Sequence, residues 1–170
     1  MKKNISKKKV YRAGIIGCGR IAHLFASDGK RPVISTHAQA YQADEHYDLI
    51  AAADSNPDRL SGFGKKWHTP HLYESYEELF REQQLDVVSI CTPTQTHYEV
   101  ASAAIENGVR AIFCEKPLTH TMDEAKRLQS LILKHEVVFA VNHARRWDTY
   151  LQSTAQFIRE EVGCIQSVDA

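Results

Sequence analysis

Gly17, Gly19 and Ala22 stand in the run Gly17-Cys18-Gly19-Arg20-Ile21-Ala22, after an apolar stretch at 10–16 and at the head of a helix-like stretch at 19–27. Glycine is favoured where the backbone must take a positive φ, or must approach another group with no Cβ in between. A strand, a turn and a helix with this spacing suit a diphosphate. The first glycine permits the tight turn, the second admits the ligand, and the small third residue lets helix and sheet pack closely. The anion would lie at the helix N-terminus, where N–H groups and the macrodipole favour negative charge. Cys18, Arg20 and Ile21 complete the backbone that would line it. The same glycines could equally serve a strand–helix turn and nothing more.

Asp54 is the second chemical signal. It closes the apolar stretch 48–53, where an acid binds the ribose hydroxyls of a dinucleotide. Gly17 and Asp54 lie 37 positions apart, against roughly 20 in the usual arrangement. The polar stretch 26–36, with Gly29 and Pro32, accounts for much of the excess. Strand, loop, helix, strand and acid in this order point to NAD or NADP as cofactor. A carboxylate at Asp54 would repel the 2′-phosphate of NADP, so NAD is favoured, a preference that Arg20 could soften. A methyltransferase-like site also combines a glycine loop with a strand-end acid and is the rival.

These residues need a frame to hold them. Short stretches rich in Val, Ile and Ala at 10–16, 48–53, 86–92, 110–114 and 137–141 read as strands buried on both faces. Helix-like stretches at 19–27, 57–66, 75–82, 96–107 and 122–135 alternate with them. Pro57 behind Asn56 suits a first helical turn and its cap. Ser75 stands three residues before Glu78, as in a capping box. Asn107-Gly108 ends a helix before the next strand. The alternation predicts an α/β domain, a doubly wound parallel sheet with helices on both faces.

Composition agrees and excludes several classes. With 170 residues, 43% hydrophobic and 25% charged, the chain suits one substantial domain. Lys+Arg and Asp+Glu balance at 21 each, which disfavours nucleic acid and anionic membrane as main partners. No run has the length of a membrane-spanning helix. Five of the first nine residues are lysine, read as a disordered tail rather than a docking arm. It is no signal peptide, because Arg12 and the glycines interrupt the apolar segment behind it. Cys18, Cys91, Cys114 and Cys164 form no C-x-x-C pair, which fits reduced thiols in a cytoplasmic protein. The nine histidines lack ligand spacing, so no metal is expected.

Further chemistry lies at the predicted strand ends. Thr92-Pro93 closes 86–92 at the carboxyl edge of the sheet, where doubly wound folds bind ligands; a plain strand-ending turn is the other reading. His97 falls in the next helix's first turn, either facing the cofactor or packing there. Glu115-Lys116-Pro117 closes 110–114, where an ammonium could donate to a developing alkoxide; a lone Glu–Lys pair would otherwise be a solvated surface pair. Asn142 and Arg145-Arg146 follow 137–141 at the same edge, with salt bridging to the next helix as the alternative.

Taken in order, the glycine loop, Asp54, Thr92-Pro93 with His97, Glu115-Lys116-Pro117, and Asn142 with Arg145-Arg146 resemble the Gfo/Idh/MocA family of NAD(P)-dependent oxidoreductases over about residues 10–150. The Glu-Lys-Pro element discriminates more sharply than the glycine loop and argues against a methyltransferase. The resemblance implies a Rossmann-type doubly wound sheet. It implies that Thr92-Pro93 lines the nicotinamide ribose and that Glu115 helps hold the cofactor region. Lys116 would be catalytic, reaching the substrate hydroxyl or carbonyl. Asn142 and Arg145 would lie near the cofactor or the junction with a second domain. The implied activity is hydride transfer between NAD(P) and a hydroxyl or carbonyl of a sugar, cyclitol or related small molecule.

The domain reading is a basic tail at 1–9, a dinucleotide-binding domain at 10–146, and a connecting helix with the first strand of a truncated substrate domain at 147–170. Members of that family continue into a second α/β domain that supplies most substrate contacts and the usual acid–base residues. The chain alone is therefore expected to bind dinucleotide and turn over little or nothing, and a full-length form is expected to be a homo-oligomer. A stand-alone NAD(P)-binding module, acting as a sensor or partner domain without catalysis, is the other functional reading.

Overall fold

The computed structural model describes residues 9–31 and 34–163. Residues 1–8 of the expected tail, Pro32, and the expected strand from Cys164 onward lie outside these residues. Among the described residues six strands form one sheet: β1 (Tyr11–Ile16), β2 (Tyr47–Ala53), β3 (His71–Tyr73), β4 (Val87–Ile90), β5 (Ala111–Cys114) and β6 (Val138–Val141). Their order is β3-β2-β1-β4-β5-β6, and all neighbouring pairs are parallel. The helices are α1 (His37–Ala43), α2 (Pro57–Trp67), α3 (Tyr76–Glu82), α4 (His97–Glu106), α5 (Met122–His135) and α6 (Thr149–Phe157).

Alternation of side chains along β1 splits the core between the two faces of the sheet. Ala13 and Ile15 pack with Tyr41 of α1 and Leu60 and Phe63 of α2. Ile16 packs on the other face with Leu79 of α3, Val100 and Ala104 of α4, and Leu128 of α5. Burying a side chain such as Phe63 or Leu79 stabilises the fold by about 1.5–3 kcal/mol, and both are fully buried.

Local chemistry sets the helix boundaries. Asn56 Oδ1 accepts from Arg59 N at 2.9 Å and Pro57 follows it. Ser75 Oγ accepts from Glu78 N at 3.1 Å. Thr121 and Glu124 exchange bonds in a full capping box at the head of α5. Gly108 takes φ +84 behind α4, as a helix-ending glycine should.

One expected element differs. The helix read over 19–27 is a turn followed by a 3-10 segment, Leu24–Ser27. The helix proper is α1, which begins directly after the polar stretch 26–36. His37 N donates to Ile21 O at 3.2 Å and Ala38 N to Ala22 O at 3.0 Å. These bonds stand where i→i+4 bonds would be. A helix opened at Gly19 is therefore left after His23 and resumed at His37, behind the capping residue Thr36. This detour and the resumed helix together lengthen the interval between Gly17 and Asp54. The short strand β3 was also unforeseen, because its three residues carry no periodicity to read.

Register brings the strand ends level. Ile16 pairs with Ala53 and Ile90, Ile90 with Cys114, and Cys114 with Val141. The residues that follow are tied across the same edge: Gly17 N to Ala53 O (2.7 Å), Cys91 N to Ile16 O (2.8 Å), Glu115 N to Ile90 O (2.9 Å) and Asn142 N to Cys114 O (2.8 Å).

Candidate functional site

Strand order reverses between β1 and β4, and in such sheets ligands bind in the crevice at that point, outside the carboxyl ends of the strands. A cleft of about 460 Å³ opens there, lined by Gly17, Gly19, Asp54, Thr92 and Pro93 among others. Five residues chosen from sequence thus meet in one cavity. Its outer wall carries Arg59, Ser75 and Tyr76, which no motif announced because they belong to helix starts with ordinary capping roles.

The two glycines differ in what they do. Gly17 has φ +91, and a Cβ there would lie 2.8 Å from the carbonyl carbon and oxygen of Cys91. Its lack of a side chain lets β1 turn against the end of β4. A Cβ at Gly19 would meet nothing within 4 Å among the described residues, so its bare backbone faces open cleft. That open approach is what a diphosphate requires.

Asp54 is built into the loop as well as into the cleft. Its Oδ2 accepts from Cys18 N at 2.7 Å and its Oδ1 from Asn56 N at 2.8 Å. A carboxylate has about four acceptor sites, so each oxygen retains capacity for a ribose hydroxyl. The side chain is only 7% exposed, and Arg59 Nε lies 3.6 Å away. Arg59, rather than the exposed Arg20, is the cation beside it. Glycine backbone, acid and open cleft together fit a dinucleotide. Cys18 is fully buried, and burial first, with Asp54 adding to it, pushes its thiol far up; only its backbone reaches outward.

The remaining candidates divide. His97 is 1% exposed, with Nδ1 2.8 Å from Pro117 O and Nε2 2.9 Å from Thr92 O. Both nitrogens thus face protein carbonyls. The ring joins the Thr92 turn to the Lys116–Pro117 turn. Glu115 is half-buried. Burial alone would raise its carboxyl, but hydrogen bonds from His37 and Asn142 outweigh this and hold it below the usual range. Asn142 Nδ2 donates to Glu115 Oε1 at 2.6 Å, so Asn142 meets Glu115 as well as the sheet edge. Lys116 is exposed at the end of β5, and Arg145 is exposed in the segment Ala144–Trp147. Ile21 lines a groove beside α1, with His37 and Ser89, rather than the cleft.

His37 is the residue the sequence reading passed over. Nothing marks a histidine just after a polar stretch as special until the helix brings its ring 3.0 Å from Glu115.

Comparison with known proteins agrees with this geometry. The profile of the family described as "Oxidoreductase family, NAD-binding Rossmann fold" (GFO_IDH_MocA) matches residues 11–143. The chain is 28% identical over 137 residues to a myo-inositol 2-dehydrogenase of Thermotoga maritima, covering 81% of this chain and 37% of that protein. It is 24% identical over 152 residues to a D-apiose dehydrogenase of Paraburkholderia graminis, covering 89% and 37%. A crystal structure of scyllo-inositol dehydrogenase from Lactobacillus casei, with bound NAD(H) and scyllo-inositol, superposes with a TM-score of 0.77 at 23% identity, over 89% of this chain and 42% of that one. The chain spans about two fifths of the length of these relatives. With the parallel sheet, the switch-point cleft and the profile in agreement, the chain belongs to the Gfo/Idh/MocA oxidoreductase family and carries its NAD-binding Rossmann fold.

Proposed function

We propose that this chain is the coenzyme-binding part of an oxidoreductase that interconverts a hydroxyl and a carbonyl on a sugar, cyclitol or related polyol, with NAD preferred over NADP. The cleft in which Gly17, Gly19, Asp54 and Thr92-Pro93 converge carries this reading. Gly17 and Gly19 would admit the diphosphate, and Asp54 would accept the adenosine-ribose hydroxyls while disfavouring a 2′-phosphate. When bound, the nicotinamide supplies the hydride acceptor or donor. Thr92-Pro93 and Glu115 would border that end of the cofactor. Lys116 would donate through Nζ to the substrate oxygen as charge develops on it.

The substrate class rests on the named activities of the relatives. Turnover also needs the reacting carbon held against the nicotinamide and a proton acceptor within reach. One lysine does not meet both needs, so the 170 residues alone are expected to bind and not to turn over. Separate titrations with NADH and NADPH, followed by nicotinamide fluorescence, test the reading. Saturable binding with NADH preferred is the expected result. Absence of binding by either nucleotide overturns it.

A further inference from the structure

Behind the cleft runs a set of hydrogen bonds for which the proposed reaction has no use so far. His37 is 5% exposed. Its Nε2 lies 3.0 Å from Glu115 Oε1 and its Nδ1 2.9 Å from Ser89 Oγ. Ser89 Oγ lies 2.9 Å from Tyr41 OH. A carboxylate oxygen only accepts, so Nε2 carries the hydrogen. In the neutral ring Nδ1 then accepts from the Ser89 hydroxyl, and Ser89 accepts from Tyr41. Each member is satisfied, and a satisfied buried network holds its groups rigid.

The network has a direction in the fold. His37 opens the resumed helix, whose backbone is bonded to Ile21 and Ala22 of the glycine turn. Glu115 directly follows β5 and precedes Lys116 in the turn, and its Oε1 also accepts from Asn142 Nδ2 at 2.6 Å. One imidazole therefore ties the helix of the diphosphate loop to the turn that carries Lys116. In a sheet of this order, β1 to β3 receive the adenosine half of a dinucleotide and β4 to β6 the nicotinamide half.

We propose that His37 is a positioning residue: by donating from Nε2 to Glu115 it holds the Lys116 turn in place for the nicotinamide half of the coenzyme, without acting on the adenosine half. This rests on the dinucleotide reading above.

The test compares His37→Gln with His37→Met in the same chain, titrated with NADH and with ADP-ribose, which lacks the nicotinamide. Glutamine places an amide donor near the Nε2 position; methionine has similar length and no donor. ADP-ribose should bind wild type and both variants alike. NADH should bind the Met variant about ten-fold more weakly than wild type, and the Gln variant within about three-fold. His37→Asn, too short to reach Glu115, should behave as Met does and serves should Met not fold. The role of His37 is overturned if the donor-less variant binds NADH as wild type does, or loses ADP-ribose and NADH in parallel. A wild type that binds neither compound overturns the dinucleotide reading and this proposal with it, an outcome distinct from equal variants on a wild type that binds both.

Discussion

Two glycines two positions apart separate folding from binding. Gly17→Ala would put a Cβ 2.8 Å from Cys91 backbone at φ +91. It should destabilise the chain by roughly 2 kcal/mol or more, read as a lowered melting temperature. Gly19→Ala meets nothing within 4 Å among the described residues, so its melting temperature should stay within a degree or two of wild type, while NADH binding weakens because the added methyl stands in the diphosphate's approach. His23 carries a pH prediction. It is 3% exposed, with no hydrogen-bond partner for either ring nitrogen among the described residues, and burial, reinforced by the Lys66 charge, holds it below its ordinary value of 6.5. The unfolded chain therefore takes up this proton more readily than the folded one. The contribution is intact above about pH 6.5 and is lost as pH falls below it. His23→Leu should show a shallower loss of melting temperature than wild type between pH 7 and 5; parallel curves would remove His23 as a cause.

At the scale of elements, the interrupted helix is the clearest case. If His37 and Ala38 resume a helix opened at Gly19, deletion of residues 24–35 joins its two parts in register. The shortened chain should fold, keep its helical circular dichroism signal and still bind NADH. A chain that no longer folds would show that the detour, not the helix, supports the glycine turn. Elements with strong local signals are legible in the sequence: α2 behind Asn56-Pro57, α3 behind Ser75 with Glu78, and α4 ending at Asn107-Gly108. What escaped was structure made by distant partners. The helix beginning at His37 was hidden because the backbone acceptors of its first turn lie before the detour, at Ile21 and Ala22.

For the whole molecule, the exposed apolar surface matters most. Val138 on β6 is 71% exposed, Trp147 62% and Tyr150 of α6 76%. Where such residues join into a contiguous patch, they mark an interaction site or an aggregation liability. The purified chain should self-associate with rising concentration, measured by light scattering. The double variant Trp147→Lys and Tyr150→Lys should shift that association to higher concentration, and a monomer at all concentrations would contradict the expectation. No helix among the described residues is long and apolar enough to cross a membrane, and no cluster of at least three His, Cys, Asp or Glu side chains among them could hold a metal.

Sequence by itself determined the strand–helix alternation, the glycine turn and the acid at the end of β2. These depend on short-range effects: backbone freedom at Gly17, apolar runs, and caps that act within one turn. It also placed Thr92, Glu115 and Asn142 at strand ends, from which a common edge follows once the sheet is parallel. Only the tertiary structure decided that Asp54 anchors Cys18, that His97 joins two turns, and that His37 meets Glu115 across 78 positions of chain. Those side chains have many possible partners in an extended chain, and packing of the helices against the sheet leaves each with the one that satisfies its buried polar atoms.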